Sequence, residues 1–186
     1  MLSYRAGRLA EAIAAERRAL DFDPLSTVSN VNLGALLRLD RQYVPSMIQF
    51  QRALDLDPDR AAIWLDYALT LLLADSAEHA SRALERWAQL IGADPRVLAR
   101  VPSLVSEHRR TRAPAPLPPE IDAVPQLGPM ARARLHALVG DREKALKFLE
   151  RVVQDQWPHA LEVPVDPIFD SLRNDSRFGT LLRRIQ

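Results

Sequence analysis

Residues 18–24 read Arg-Ala-Leu-Asp-Phe-Asp-Pro, and residues 52–58 read Arg-Ala-Leu-Asp-Leu-Asp-Pro. The two phrases are 34 residues apart, and a third Asp-Pro pair follows 37 residues later at Asp94 and Pro95. Each phrase closes an amphipathic stretch with a proline, the residue that accumulates at helix ends and turns. The sequence therefore predicts helical repeats with a period near 34 residues.

The composition of the 186-residue chain also favours helices. Only six glycines occur, and alternating β-branched runs and Asn-Gly hairpin signals are missing from the sequence. Of the fourteen prolines, six lie between residues 114 and 129. We expect an all-α fold in which that proline-rich stretch forms a semi-rigid linker.

The second and third repeats carry small and aromatic residues at regular positions. In the second repeat these are Leu33, Gly34, Leu37, Ser46, Phe50, Ala53 and Pro58. In the third they are Trp64, Tyr67, Ala68, Leu71, Ala83, Trp87 and Pro95. This pattern resembles the tetratricopeptide repeat, a unit of two antiparallel helices. The resemblance implies a right-handed superhelical stack of helix pairs, an α-solenoid.

Close helix crossing explains these residue types. Gly34 and Ala68 would let paired helices approach, and Phe50 and Trp87 would fill the space between neighbouring units. Pro45 stands where the second helix of its repeat should start, and a proline in the first turn costs no hydrogen bond.

The repeats divide the chain into three regions. Residues 1–95 are predicted to hold the repeats, with complete units at 27–60 and 61–95. Residues 96–129 are predicted to form an irregular helix followed by the proline-rich linker. Residues 130–186 restore a helix pair with a capping tail.

The first repeat is incomplete, because only about eight residues precede the turn expected near Gly7. A single repeat cannot bury its apolar face, so something should cover this end. We expect that the chain is a fragment or that its true start lies upstream.

The tail of the last region carries Asp166-Pro167, Phe169, Leu172-Arg173 and Asp175-Ser176-Arg177-Phe178. This phrase looks like the end of bacterial tetratricopeptide regions. In that family such regions often follow a winged-helix DNA-binding domain, a cyclase or a protein kinase domain. The resemblance therefore allows a second function, the regulatory or sensory carboxyl-terminal region of a multidomain regulator.

Catalytic and cofactor motifs are missing from the sequence. Cysteine is absent, and no phosphate-cradling glycine loop or Gly-x-Ser-x-Gly phrase occurs. The four histidines, at 79, 108, 136 and 159, lack metal-ligand spacing, and His136 is expected to be packed in a helix pair. We expect neither enzymatic activity nor a metal or other cofactor.

Charge and hydropathy give no sign of nucleic-acid or membrane binding. The chain has 25 basic and 24 acidic residues, and the basic run at 108–112 is explained by a solvated helix end. The longest apolar run, residues 67–74, is far shorter than the roughly 20 residues of a membrane helix. No signal peptide is evident, so a cytoplasmic location is expected.

The family pattern also implies a binding surface on the concave face, which the first helix of each unit lines. It places nine residues there: Val28, Val31, Asn32, Ala35, Arg38, Ala62, Leu65, Asp66 and Leu69. This floor is mostly apolar, and Asp66 stands where a clamp for a terminal carboxylate would need a cation.

We therefore expect a protein-interaction scaffold whose ligand is an amphipathic helix or an extended apolar segment. That ligand belongs to a partner protein or to an upstream domain of the same polypeptide. The alternative is that Leu65 and Leu69 pack against the helix at 96–112, so that the chain fills its own groove.

Overall fold

The computed structural model describes residues 2–185, with side chains described for all of these except residues 2–7, 158 and 159. Within that range every regular element is helical, with eleven α-helices and two 3₁₀ helices. The predicted all-α class is confirmed. The chain divides into two compact units, Met1–Gly92 and Ala93–Gln186. Among the described residues, every helix falls short of the length and apolarity that a membrane span requires.

The first unit is built from five helices that pack in sequence order. They are α1 (Leu2–Phe22), α2 (Thr27–Leu39), α3 (Tyr43–Leu56), α4 (Ala61–Leu73) and α5 (Ala77–Ile91). Helix α2 packs on α3, and α4 packs on α5, while α1 packs on α2 and α3 on α4. Because short turns join the members of each pair, the paired helices run antiparallel.

The contact between Gly34 and Phe50 sets the spacing of α2 and α3. A Cβ atom added to Gly34 would lie 3.1 Å from Cε1 of Phe50, which is fully buried. The hydroxyl of Ser46 also donates a hydrogen bond to the Gly34 carbonyl oxygen at 2.7 Å. Phe50 further packs with Ile63 of α4. The predicted close approach at Gly34 is therefore confirmed, and Phe50 joins one helix pair to the next.

Helix α1 differs from its prediction. It continues from Leu2 to Phe22, so the turn expected near Gly7 does not form. One glycine inside a helix costs only about 1 kcal/mol, and its neighbours are good helix formers. Near the middle of α1, Ile13 packs with Leu33 and Leu37, which fixes this helix on α2.

The second unit contains six α-helices and both 3₁₀ helices. The α-helices are α6 (Pro95–Ala99), α7 (Val101–Thr111), α8 (Glu120–Ala123), α9 (Pro129–Leu138), α10 (Arg142–Gln154) and α11 (Ser176–Arg184). The 3₁₀ helices are Pro158–Glu162 and Pro167–Leu172. The turn between α9 and α10 contains Gly140, whose φ is 77°.

The tail of the second unit packs onto the pair formed by α9 and α10. Helix α11 lies against α10, and the 3₁₀ helix Pro167–Leu172 lies against α9. Phe169 and Phe178 are fully buried, with ring centroids 6.3 Å apart. The tail therefore contributes aromatic core to this unit.

The proline-rich stretch is packed rather than solvated. Its apolar residues Ala115, Leu117 and Ile121 are all buried. The backbone N–H of Ala115 donates to the carbonyl oxygen of Val139 at 2.9 Å. The expectation of a spacer is wrong, because apolar residues placed between the prolines anchor the segment inside the second unit.

Candidate protein-binding surface

The predicted binding residues occupy matching positions on α2 and α4. Adding the repeat offset of 34 residues to Val28, Val31, Asn32 and Ala35 gives Ala62, Leu65, Asp66 and Leu69. Within each helix the spacing places the four on one face. Helices α2 and α4 are in contact, so the two faces adjoin.

The apolar members of this set differ in exposure. Val28 is 57% exposed, and Ala62 is also exposed. Val31, Ala35 and Leu65 are half-buried. Val31 and Ala35 pack against the core cluster that contains Phe50, so each offers only part of its side chain to a partner. We call Val28, Val31, Asn32, Ala35, Ala62, Leu65 and Asp66 the α2–α4 face.

The expectation that Leu69 is open to a partner does not hold, because it is 1% exposed. All residues from Ala68 to Leu72 are buried, so this part of α4 is enclosed on every side. A helix that is apolar all round is generally buried all round. The apolar run at 67–74, which only Thr70 interrupts, was the sequence signal for that burial.

Arg38 is also buried, although it was predicted to lie on the binding surface. It is 1% exposed, and its Nη2 lies 3.8 Å from Oδ1 of Asp66, whose side chain is 31% exposed. A cation does lie beside Asp66, but it lies beneath the face. The charge of Arg38 is thus directed at Asp66 rather than offered to a ligand.

A second carboxylate lies at the edge of the α2–α4 face. The side-chain amide of Asn32 donates to Oε1 of Glu16 on α1 at 2.9 Å. Glu16 is half-buried, and Asn32 is exposed. The apolar residues of the face are therefore accompanied by two acidic groups, Glu16 and Asp66.

Sequence reasoning missed two exposed apolar residues that shortly precede Val28 in the sequence. Phe22 ends α1 and is 91% exposed, and Leu25 in the following turn is 72% exposed. We call Phe22, Leu25 and Val28 the corner patch. The repeat offset could have indicated them. One repeat later the equivalents of Leu25 and Val28 are Asp59 and Ala62, a polar and a small residue, so these positions do not need large apolar side chains for packing.

Polar groups in the second unit form a separate network that joins helices. Asp122 of α8 accepts hydrogen bonds from His136 Nε2 at 2.8 Å and from Lys144 Nζ at 2.9 Å. Burial alone would raise the pKa of Asp122, but these two partners outweigh it and hold the pKa below its usual value. The predicted packing of His136 is confirmed, since the residue is fully buried.

A buried arginine forms the other part of this network. Arg134 Nε lies 2.9 Å from Oδ2 of Asp166, and its Nη2 lies 2.5 Å from Oε2 of Glu162. Asp166 is fully buried. Arg134 thus fixes α9 to the tail through a charge-assisted contact.

The histidines are dispersed in the described part of the chain. No group of three or more histidine and carboxylate side chains there could hold a metal ion. His79 is exposed and His108 is half-buried. The side chain of His159, predicted to lie at the surface or in a turn, is outside the described residues.

Comparison with known proteins gives no family assignment. No family model matches the chain, and no curated protein matches it either. The functional argument therefore depends on the geometry of the α2–α4 face and the corner patch.

Proposed function

We propose that this chain is a non-catalytic interaction module of the tetratricopeptide type, which binds an apolar segment of another protein along the α2–α4 face. The observation that supports this most is the corner patch, where Phe22, Leu25 and Val28 are each more than half exposed. Single exposed apolar residues are ordinary, but a cluster is typical of interaction sites.

The helix pairs beneath the face supply the rigid support that such a site needs. Val31 and Ala35 are anchored on the cluster around Phe50, so the exposed residues project from a packed layer. Binding energy in interfaces comes mainly from apolar anchors that enter preformed surroundings. Because the receptor is already ordered, partner binding would cost little free energy for ordering it.

The charges of the face select the kind of partner. Glu16 is the acidic group at the edge of the face, because Asp66 is already paired with the buried Arg38. Complementary charge raises association rates and specificity. We propose that the partner segment combines apolar anchors with a flanking lysine or arginine.

A displayed peptide library selected on the purified chain tests this proposal. Val28→Asp introduces a charge into the corner patch and should weaken binding of the selected peptides about tenfold or more. Val44→Asp is the matched control, because Val44 is 63% exposed but lies on α3, the second helix of its pair. Circular dichroism should show both variants folded.

The selected peptides should be rich in apolar residues with a basic neighbour. Equal weakening by Val28→Asp and Val44→Asp would contradict the assignment of the face. Unchanged binding in Val28→Asp would contradict it as well.

A further inference from the structure

The second unit has an apolar groove of its own between the end of α10, the following 3₁₀ helix and the end of α11. It encloses about 250 Å³. Four of its lining residues are large and apolar: Val153, Trp157, Leu161 and Ile185. Gln156 and Arg184 contribute its polar side chains.

Two of the apolar walls face solvent. Leu161 is 70% exposed and Trp157 is 37% exposed, although both are large. The indole of Trp157 is also held from behind, because a Cβ atom added to Gly128 would lie 3.2 Å from its Cη2. The groove is therefore a formed surface with a fixed aromatic wall.

Arg184 places one positive charge at this groove. Its side chain is exposed, and among the described side chains it has neither a salt bridge nor a side-chain hydrogen bond. The neighbouring Arg183 differs, since its Nη2 donates to Thr180 Oγ1 at 2.9 Å. A guanidinium with open donors beside an apolar wall is suited to a carboxylate, which it can bind through two parallel hydrogen bonds.

We propose that this groove binds a small monocarboxylic acid with an apolar body. Arg184, which lacks an anionic partner among the described side chains, matches one negative charge. Trp157 with Leu161 and Val153 matches an aliphatic or aromatic body. A water molecule occupies about 30 Å³ of liquid, so a groove of this volume holds a ligand of roughly eight to ten non-hydrogen atoms. This site lies in the second unit and does not depend on the function proposed for the α2–α4 face.

Octanoate is a suitable probe, titrated into the full chain while nuclear magnetic resonance follows the indole N–H signal of Trp157. That signal is assigned by its disappearance in Trp157→Phe. We expect a saturable shift with a dissociation constant of about 0.1–1 mM, as ligands of this size typically give. Octyltrimethylammonium, which has the opposite charge on the same body, should bind at least about tenfold more weakly.

Two variants separate the charge from the groove. Arg184→Gln should weaken octanoate about tenfold, and Arg183→Gln is the matched control that should leave it unchanged. Leu161→Asp should abolish the shift by placing a carboxylate in the apolar wall. Circular dichroism verifies that each variant is folded.

The proposal is overturned if octanoate gives no saturable shift at Trp157, or if octyltrimethylammonium binds as well as octanoate. It is also overturned if Arg183→Gln weakens binding as much as Arg184→Gln does. Weakening confined to Arg184→Gln, together with loss in Leu161→Asp, supports it.

Discussion

The two units satisfy their buried polar groups in different ways. In the first unit three buried polar side chains donate to backbone carbonyl oxygens, Asn30 to Ser26, Ser46 to Gly34 and Thr70 to Asp66. In the second unit the buried polar residues are Arg134, His136 and Asp166, and they pair with side chains distant in sequence. Arg38 is the one buried charge on the described side chains of the first unit.

This difference affects how much stability is lost when a buried polar group loses its partner. A hydroxyl or amide that bonds a backbone carbonyl can be lost at a cost of about 1 kcal/mol. A buried charge that loses its partner remains in a poor solvent, which costs several times more. We therefore expect single substitutions at buried polar groups to harm the second unit more than the first.

The largest effect is expected for Arg134→Leu. The substitution leaves Asp166 fully buried without its arginine, and should lower the free energy of unfolding of the second unit by about 3–5 kcal/mol. Arg151→Leu, at an exposed position on α10, is the control and should change it by less than about 0.5 kcal/mol. Hydrogen exchange resolved to peptides of α9 and α10 measures the local free energy of unfolding in each variant.

The double variant Arg134→Leu with Asp166→Leu sharpens this test. Replacing both partners by apolar residues removes the stranded charge, so part of the lost stability should return. A loss below about 1 kcal/mol for Arg134→Leu alone would show that the network contributes little.

The next largest effect is expected in the first unit, from Gly34→Ala. The new methyl group would meet the buried Phe50 ring at 3.1 Å, which should cost about 1–3 kcal/mol and outweigh the better helix propensity of alanine. Gly179→Ala in α11 is the matched control, because the nearest neighbour of its Cβ would be 4.0 Å away, at Arg183. It should gain about 0.5–1 kcal/mol. Urea denaturation should show a lower free energy of unfolding for Gly34→Ala and a higher one for Gly179→Ala.

The smallest effect concerns the pH dependence of the second unit. The pKa of Asp122 is lower in the folded chain than in the unfolded chain. Ionised Asp122 therefore contributes its full share of the stability when the pH is above the unfolded pKa of about 3.9. That share is lost as the pH falls through the lower folded pKa. Asp122→Asn should cost about 1–2 kcal/mol at neutral pH.

The gap between wild type and Asp122→Asn should then narrow as the pH falls below about 4. Urea denaturation at a series of pH values measures it. Glu150→Gln, an exposed change on α10, serves as the control for the removal of a negative charge. A gap that stays constant with pH would mean that the charge of Asp122 is not what stabilises the contact.

The same contrast explains which parts of the fold the sequence could predict. The repeat period located the helix pairs from α2 to α5, because a small residue (Gly34, Ala68) and an aromatic residue (Phe50, Trp87) occur in both repeats. Arg134 and Asp122 pair with residues that are distant in sequence. No periodic pattern indicates these pairs, because only the folded chain brings the partners together. The proline-rich stretch was wrongly predicted to be a linker because its composition resembles one, although buried apolar residues such as Leu117 and Ile121 lie between its prolines.

Prediction of the candidate surface had the same limit. The repeat register placed the α2–α4 face on two helices that are in contact, but register alone gives no depth of burial. Leu69 and Arg38 share that register and are nevertheless enclosed. Phe22 is the last residue of α1 and Leu25 lies in the turn that follows, so neither belongs to the helix faces that the pattern describes.

The buried proline-rich segment has a practical consequence for dissecting this molecule. Composition suggests starting a fragment at residue 130, but that fragment would lose Asp122 and the buried side chains of Leu117 and Ile121. His136 and Lys144 would then lack a common partner. A fragment that begins at Ala93 keeps these groups together and is the better choice for expressing the second unit.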